Sequence, residues 1–230
     1  TTSPATLGTA SSGCGGAGSS PAFLLFGGST PPTTGATEEY NVSTNVITGA
    51  AWASSPSRVN TLTNVASSDG TTSDWLVWGG RNAPPSPPYS KATSESYDGS
   101  AFSNTPSLNT DGRDRWGGGT GSAAWAAGGA QPTYLIATEE YNGSSWTSVE
   151  DMPQAAAGVG AFGVQTAGIW IVGQIPSGPY PSAALGYDGT NWTVGNALNT
   201  ARTNAGGGAV GTNTAGLIGS GEGPPGVLLN

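Results

Sequence analysis

Histidine is absent from this chain of 230 residues, and cysteine occurs once. The first absence removes the commonest general base near neutral pH and the commonest zinc ligand. The second leaves no internal disulfide. Cys14, between Gly13 and Gly15, reads as a small apolar residue rather than a reactive thiol, which needs an electropositive niche. Charge is scarce too. Lys and Arg number 6 against 14 Asp and Glu, a net charge of −8. That balance argues against nucleic acid, whose recognition needs a basic footprint to release counterions. No apolar run approaches a membrane-spanning length, so membrane insertion is not expected. No cofactor or metal is expected either. A hydroxyl nucleophile needs a base, and only carboxylates or Lys91 remain to supply one.

What is present is glycine, 39 of it, with 17 Pro. In a helix interior these cost about 1 and 3 kcal/mol each, and no segment has helical periodicity. Disorder is the weaker reading. Eight Trp, seven Tyr and four Phe recur at regular places, and disordered chains are poor in aromatics and rich in charge.

The recurrence is a repeat. Tyr141-Asn142-Gly143-Ser144-Ser145-Trp146 returns as Tyr187-Asp188-Gly189-Thr190-Asn191-Trp192, and more loosely as Tyr97-Asp98-Gly99-Ser100-Ala101-Phe102 and after Tyr40-Asn41. Each unit has an apolar run ending in Gly: Phe23–Gly28, Trp75–Gly80, Ala123–Gly129 and Ile169–Gly173 before the tyrosines, and Ala215–Gly219 in a fifth unit that has no Tyr. Such a run reads as a buried strand. A Pro-rich loop follows, then a strand ending at Tyr, an Asn-Gly or Asp-Gly turn supplying the positive φ of a type I′ hairpin, and a strand opening at Trp or Phe. Each unit is thus a four-stranded antiparallel meander, with strands A to D. Units of this size are the signature of a β-propeller blade. The expected fold is all-β, one five-bladed propeller domain over 1–230. Its approximate blades are 8–53, 54–107, 108–151, 152–197, and 198–230 completed by 1–7. Thr6–Ala10 matches Ala197–Ala201, which follows a D strand. Residues 1–7 are therefore expected to pair as strand D beside 227–230 and close the ring, removing an exposed edge. Whether Thr1 is a processed terminus or the start of an excised fragment stays open.

The apolar run ending in Gly-Gly, followed by spaced Tyr and Trp, resembles the kelch repeat. In the first unit Val46 stands near the Trp position, and Gln174 replaces the second Gly in the fourth. The wording Ala137–Trp146, with Leu198-Asn199-Thr200-Ala201-Arg202 and Asn213-Thr214-Ala215-Gly216 downstream, is similar to kelch-like repeats of structural proteins of marine tailed phages. That resemblance implies an appendage, fibre or capsid-associated module in a virion or outside the cell, with other structural proteins as partners.

The repeating aromatics Tyr40, Tyr97, Tyr141, Tyr187, Phe102, Trp146 and Trp192 are expected to pack between blades. The acidic pairs Glu38-Glu39 and Glu139-Glu140 could suggest a glycosidase, which needs two facing carboxylates. Strand neighbours point to opposite faces, and the pairs recur at one blade position, so a structural role is preferred. Asp98, Asn142 and Asp188 are explained by turn chemistry rather than calcium. The Gly117–Gly119 and Gly206–Gly208 triplets lack the P-loop context and fit close packing near the axis. Candidate binding residues are the non-repeating Tyr89, Tyr134 and Tyr180 of the B–C loops. Arg58, Arg113, Arg115, Trp116 and Arg202 of the D–A connections emerge on the same side. Function is expected to be non-enzymatic, a structural or attachment module. The alternative is a lectin-like binder of cell-surface glycans, and a propeller hydrolase comes third.

Overall fold

A computed structural model describes residues 15–19, 22–26, 37–41, 52–82, 89–176, 181–203, 209–218 and 223. No helix occurs among them, and the chain is all-β. Unit one contains β1 (Gly15–Ser19), β2 (Ala22–Phe26), β3 (Thr37–Asn41) and β4 (Trp52–Ser55). Unit two contains β5 (Ala66–Ser67), β6 (Trp75–Trp78), β7 (Ser94–Tyr97) and β8 (Phe102–Thr105). Unit three contains β9 (Gly117–Gly119), β10 (Ala124–Ala127), a small hairpin β11 (Ala130–Gln131) and β12 (Thr133–Tyr134), then β13 (Thr138–Tyr141) and β14 (Trp146–Ser148). Unit four contains β15 (Ala157–Val164), β16 (Ala167–Gln174), β17 (Ala184–Tyr187) and β18 (Trp192–Val194), and β19 (Ala209–Thr212) with β20 (Ala215–Ile218) follows. Units one to four are each a four-stranded antiparallel meander, and β19 pairs with β20. The inner strands β1, β5, β9, β15 and β19 touch one another in chain order, a propeller-like arrangement. Expected ring closure by residues 1–7 and 227–230 lies outside the described residues, as does most of the fifth unit.

The Tyr–Trp register is the same in every complete unit. Tyr40 opposes Trp52, Tyr97 opposes Phe102, Tyr141 opposes Trp146, and Tyr187 opposes Trp192. Trp52, not Val46, therefore holds the Trp position of unit one, and the expected boundary at residue 53 falls inside β4. A longer C–D connection hid the match. The turns also differ from expectation. In each, only the glycine has positive φ: Gly99 (94°), Gly143 (89°) and Gly189 (93°). A type I′ turn needs it at both central residues. The preceding side chain closes the loop instead. Oδ1 of Asp98 accepts from Ser100 N (2.8 Å) and Ala101 N (2.9 Å), and Oδ1 of Asn142 accepts from Ser144 N (3.0 Å) and Ser145 N (2.9 Å). These are Asx turns.

The core lies between units. On β10, Ala124 and Ala126 face unit two and meet its Leu76 and Trp78 in a cluster that includes Trp146 of their own unit, while Trp125 and Ala127 face unit four and meet Trp170, Val172, Leu185 and Tyr187. Alternation along a strand serves both interfaces, pairing small residues with large ones across each. Trp125 lies over Gly168, whose Cβ would come within 2.5 Å of the indole Cζ2. Gly118 of β9 has its Cβ space filled by the Gly163 carbonyl and by Asp69 Oδ2, so the triple glycine is what lets units two, three and four converge. Of the run Ala215–Gly219, the described part, Ala215–Ile218, is not buried as expected. Leu217 is 69% exposed, because β20 pairs only with β19 among the described residues.

Candidate functional site

In a stack of meanders, B–C loops and D–A connections emerge on one side of the sheets, and A–B and C–D turns on the other. All six cations, Arg58, Arg81, Lys91, Arg113, Arg115 and Arg202, fall on the first side. The opposite turns carry Asp74, Asp98 and Asp188.

Arg58 and Arg115 were expected to line the binding face. The structure corrects both. Arg58 is 6% exposed and donates through Nε (3.3 Å) and Nη2 (3.4 Å) to Glu95. The same carboxylate accepts from Asn60 N (2.9 Å) and Asn60 Nδ2 (2.6 Å). Arg115 is 1% exposed and donates through Nη1 to Glu139 (2.7 Å), which also accepts from Asn109 N (2.6 Å) and Thr110 N (3.0 Å). Its remaining N–H groups donate to carbonyls of Gly128 (3.2 Å), Thr110 (2.8 Å) and Ala137 (3.1 Å). Burial lowers both guanidinium pKa values, and the partner carboxylate opposes that shift. In units two and three the glutamate of strand C thus fastens the preceding D–A connection to the sheet. An uncompensated charge here would be costly, so these arginines are structural. Unit four replaces the glutamate with Leu185, which shares an apolar cluster with Met152 of its own connection.

The acidic pair divides as alternation requires. Glu139 is fully buried, while Glu140 is half-buried and accepts from Tyr187 Oη of the next unit (2.9 Å). Burial, and then the Glu140 carboxylate, raise the Tyr187 phenol well above its usual range. Tyr97 Oη likewise bonds Ser55 Oγ of the preceding unit (2.8 Å). Tyr187→Phe should cost about 1 kcal/mol, the usual worth of one hydrogen bond. Equilibrium denaturation would read it, and an unchanged midpoint would remove the cross-unit role of this hydroxyl. Glu38 and Glu39 lie in β3, their side chains outside the described residues.

The other candidates separate clearly. Trp116 is half-buried against the unit three–four core. Tyr134 is half-buried and donates to Gln174 Oε1 (3.2 Å). Tyr180 lies outside the described residues. Arg202 is half-buried and already engaged. Tyr89 is 48% exposed, and Arg113 makes one ion contact, Nε to Asp114 Oδ2 at 3.6 Å. Sequence reasoning missed Arg81 and Lys91, which flank the Pro-rich loop of unit two. Their signal was available, since neither has a repeat counterpart to give it a packing role. Among the described residues no group of His, Cys, Asp or Glu is placed to hold a metal, and no helix is long and apolar enough to cross a membrane.

One carboxyl lies apart from that face. Asp69, just after β5, accepts from Gly163 N of unit four (2.9 Å), and its own N–H donates to Gly119 O of unit three (2.7 Å). The residue is solvent-exposed, while its Oδ2 lies against the inner-strand backbone at Gly118 and Gly163. Desolvation outweighs the hydrogen bonds from the Gly163 and Gly119 backbone and pushes the carboxyl up to about 7. The folded state then binds a proton that the unfolded chain releases near pH 4. The contribution of Asp69 to stability should fall as pH rises from about 4 to about 7 and level off above. Asp69→Asn should flatten that slope, matching the parent at pH 4 and exceeding it at pH 8 in melting temperature. Parallel curves for parent and variant would show that Asp69 does not titrate there.

No family model and no curated protein sequence matches the chain. Among solved structures, that of YjhT is similar, with a TM-score of 0.76 at 15% identity over 97% of this chain and 80% of that one. At that identity the likeness is one of fold: the chain shares the propeller-like all-β architecture of YjhT.

Proposed function

We propose that the chain is a non-enzymatic structural and attachment module, a rigid disc in a virion or extracellular appendage of the phage kind that its repeat wording resembles. In this reading five units close into a ring, with residues 1–7 supplying the missing D strand beside 227–230. The carrying observation is the use made of the strand C carboxylates. Glu95 and Glu139 are spent on fastening connections and Glu140 on joining units. A hydrolase would need two such groups facing a shared cleft. The loop face, with exposed Tyr89 beside Arg81 and Lys91, remains for contact. Electron microscopy of native particles with an antibody against this chain should label a discrete appendage or capsid position. Native material in which the chain is found only as a free monomer would overturn the reading. Removing residues 1–7 should lower the melting temperature and promote aggregation, and a monodisperse truncated protein with unchanged melting would count against ring closure.

A lectin-like role is the second reading, favoured by the exposed ring of Tyr89. A glycan array probed with folded protein tests it, and an array without hits removes it.

A further inference from the structure

We propose that the loop side of units two and three is a docking surface for an acidic segment of a partner protein, with Arg81, Lys91 and Arg113 receiving its carboxylates and Tyr89 receiving an apolar side chain. The inference rests on the assembly reading above and supplies the chemistry of its partner.

The backbone brings these residues together. Gly80 N donates to Gly112 O (2.9 Å), Lys91 N donates to Gly80 O (2.9 Å), and Gly112 N donates to Lys91 O (3.2 Å). This three-way knot places Arg81, Lys91 and Arg113 on one patch, though they come from two separate connections. Asn82 N donates to Tyr89 O (2.9 Å) and holds the tyrosine at its edge.

The cations of the patch are not enclosed by a carboxylate, although Arg113 and Arg81 both act on Asp114 electrostatically. Arg81 Nε is buried with no hydrogen-bond partner, and neither Arg81 nor Lys91 has a side-chain hydrogen bond among the described residues. Arg113 and Asp114 are 30% and 27% exposed at their side chains, and their 3.6 Å contact leaves the terminal guanidinium nitrogens available. Asp114 is itself occupied, accepting from Asn64 Nδ2 through Oδ1 (2.7 Å). Arg58 and Arg115 contrast with this, their charges enclosed with a carboxylate each.

The surroundings select the partner. In a chain of net charge −8, a polyanion such as nucleic acid meets repulsion beyond the patch, while a short acidic segment meets three cations against the one partly exposed carboxylate of Asp114. Exposed Val59 and Ile136 on the same side of the disc add apolar surface. Tyr and Arg in one patch are the residues on which protein interfaces concentrate their energy. Guanidinium groups receive carboxylates through paired hydrogen bonds.

The test uses the intact chain and three probes: a short peptide of alternating Glu and Leu, its Gln-for-Glu counterpart, and sulfated dextran. Amide shifts in NMR titrations should map the acidic peptide to Arg81, Tyr89, Lys91 and Arg113, with affinity falling as salt rises. Arg81→Glu with Arg113→Glu should weaken it roughly tenfold or more. Lys91→Glu alone is the second variant should the double one fold poorly. Ser73→Lys, a cation added on the opposite side, should change nothing. Equal binding of the Gln peptide, preferential binding of sulfated dextran, or no shift at these residues would each overturn the proposal. Particle labelling would be untouched by that failure, so the two readings fall separately.

Discussion

Arg115→Ala should lower the unfolding free energy by about 3–5 kcal/mol, the usual consequence of leaving a buried charge without its partner. For a chain of this size that is a fall in melting temperature of roughly 10 °C. The reason lies in what the guanidinium holds. It pairs with the fully buried Glu139 and reaches three carbonyls, one from the D–A connection and two from the B–C connection. Glu139→Ala should cost a similar amount, because Asn109 N and Thr110 N lose their acceptor as well. The double variant Arg115→Met with Glu139→Leu should recover part of the loss. In unit four the Leu185 that replaces this glutamate lies in an apolar cluster with Met152. Calorimetry across the single and double variants reads the coupling directly. Melting of Arg115→Ala within about 2 °C of the parent would show that the pair does not fasten the connection.

Trp125→Ala should cost about 3–5 kcal/mol, the range for deleting a large aromatic from a packed interior. The indole is fully buried between units three and four. Its ring centroid lies 5.8 Å from that of Tyr187 and 5.9 Å from that of Trp192, and Nε1 donates to Gly163 O (3.1 Å). Gly168 beneath it has no side chain to collapse into the cavity. The cost should therefore fall at the upper end of the range, and Trp125→Phe should restore part of it. Hydrogen exchange should show the strongest loss of protection in β10 and β16, which flank the cavity, while β3 keeps its own. Uniform loss across all units would mean that interfaces do not fail one at a time.

The sequence made the sheets legible because their signals are local. Tyr141-Asn142-Gly143 and Tyr187-Asp188-Gly189 mark a strand end and a turn within a few residues, and repetition fixed the register of Tyr141 on Trp146 and of Tyr187 on Trp192. The same locality failed in unit one, where a longer connection moved the partner of Tyr40 to Trp52. It also misassigned the turn type, since the Asx geometry depends on side-chain hydrogen bonds that the Asn-Gly dipeptide does not reveal.

What the sequence determined by itself is the β meander, its repetition, and a chemistry without histidine, thiol pairs or a basic footprint. Which cations are free was decided only by tertiary structure. Arg115 and Glu139 are 24 residues apart and Arg58 and Glu95 are 37 apart. Each pair forms because a D–A connection folds back over strand C, and no local pattern states that a guanidinium turns inward. Arg81, Lys91 and Arg113 are only half-buried for the converse reason. The backbone knot of Gly80, Lys91 and Gly112 fixes their places, and the carboxylate near them, Asp114, acts on Arg81 and Arg113 through its field and one 3.6 Å contact without enclosing either guanidinium.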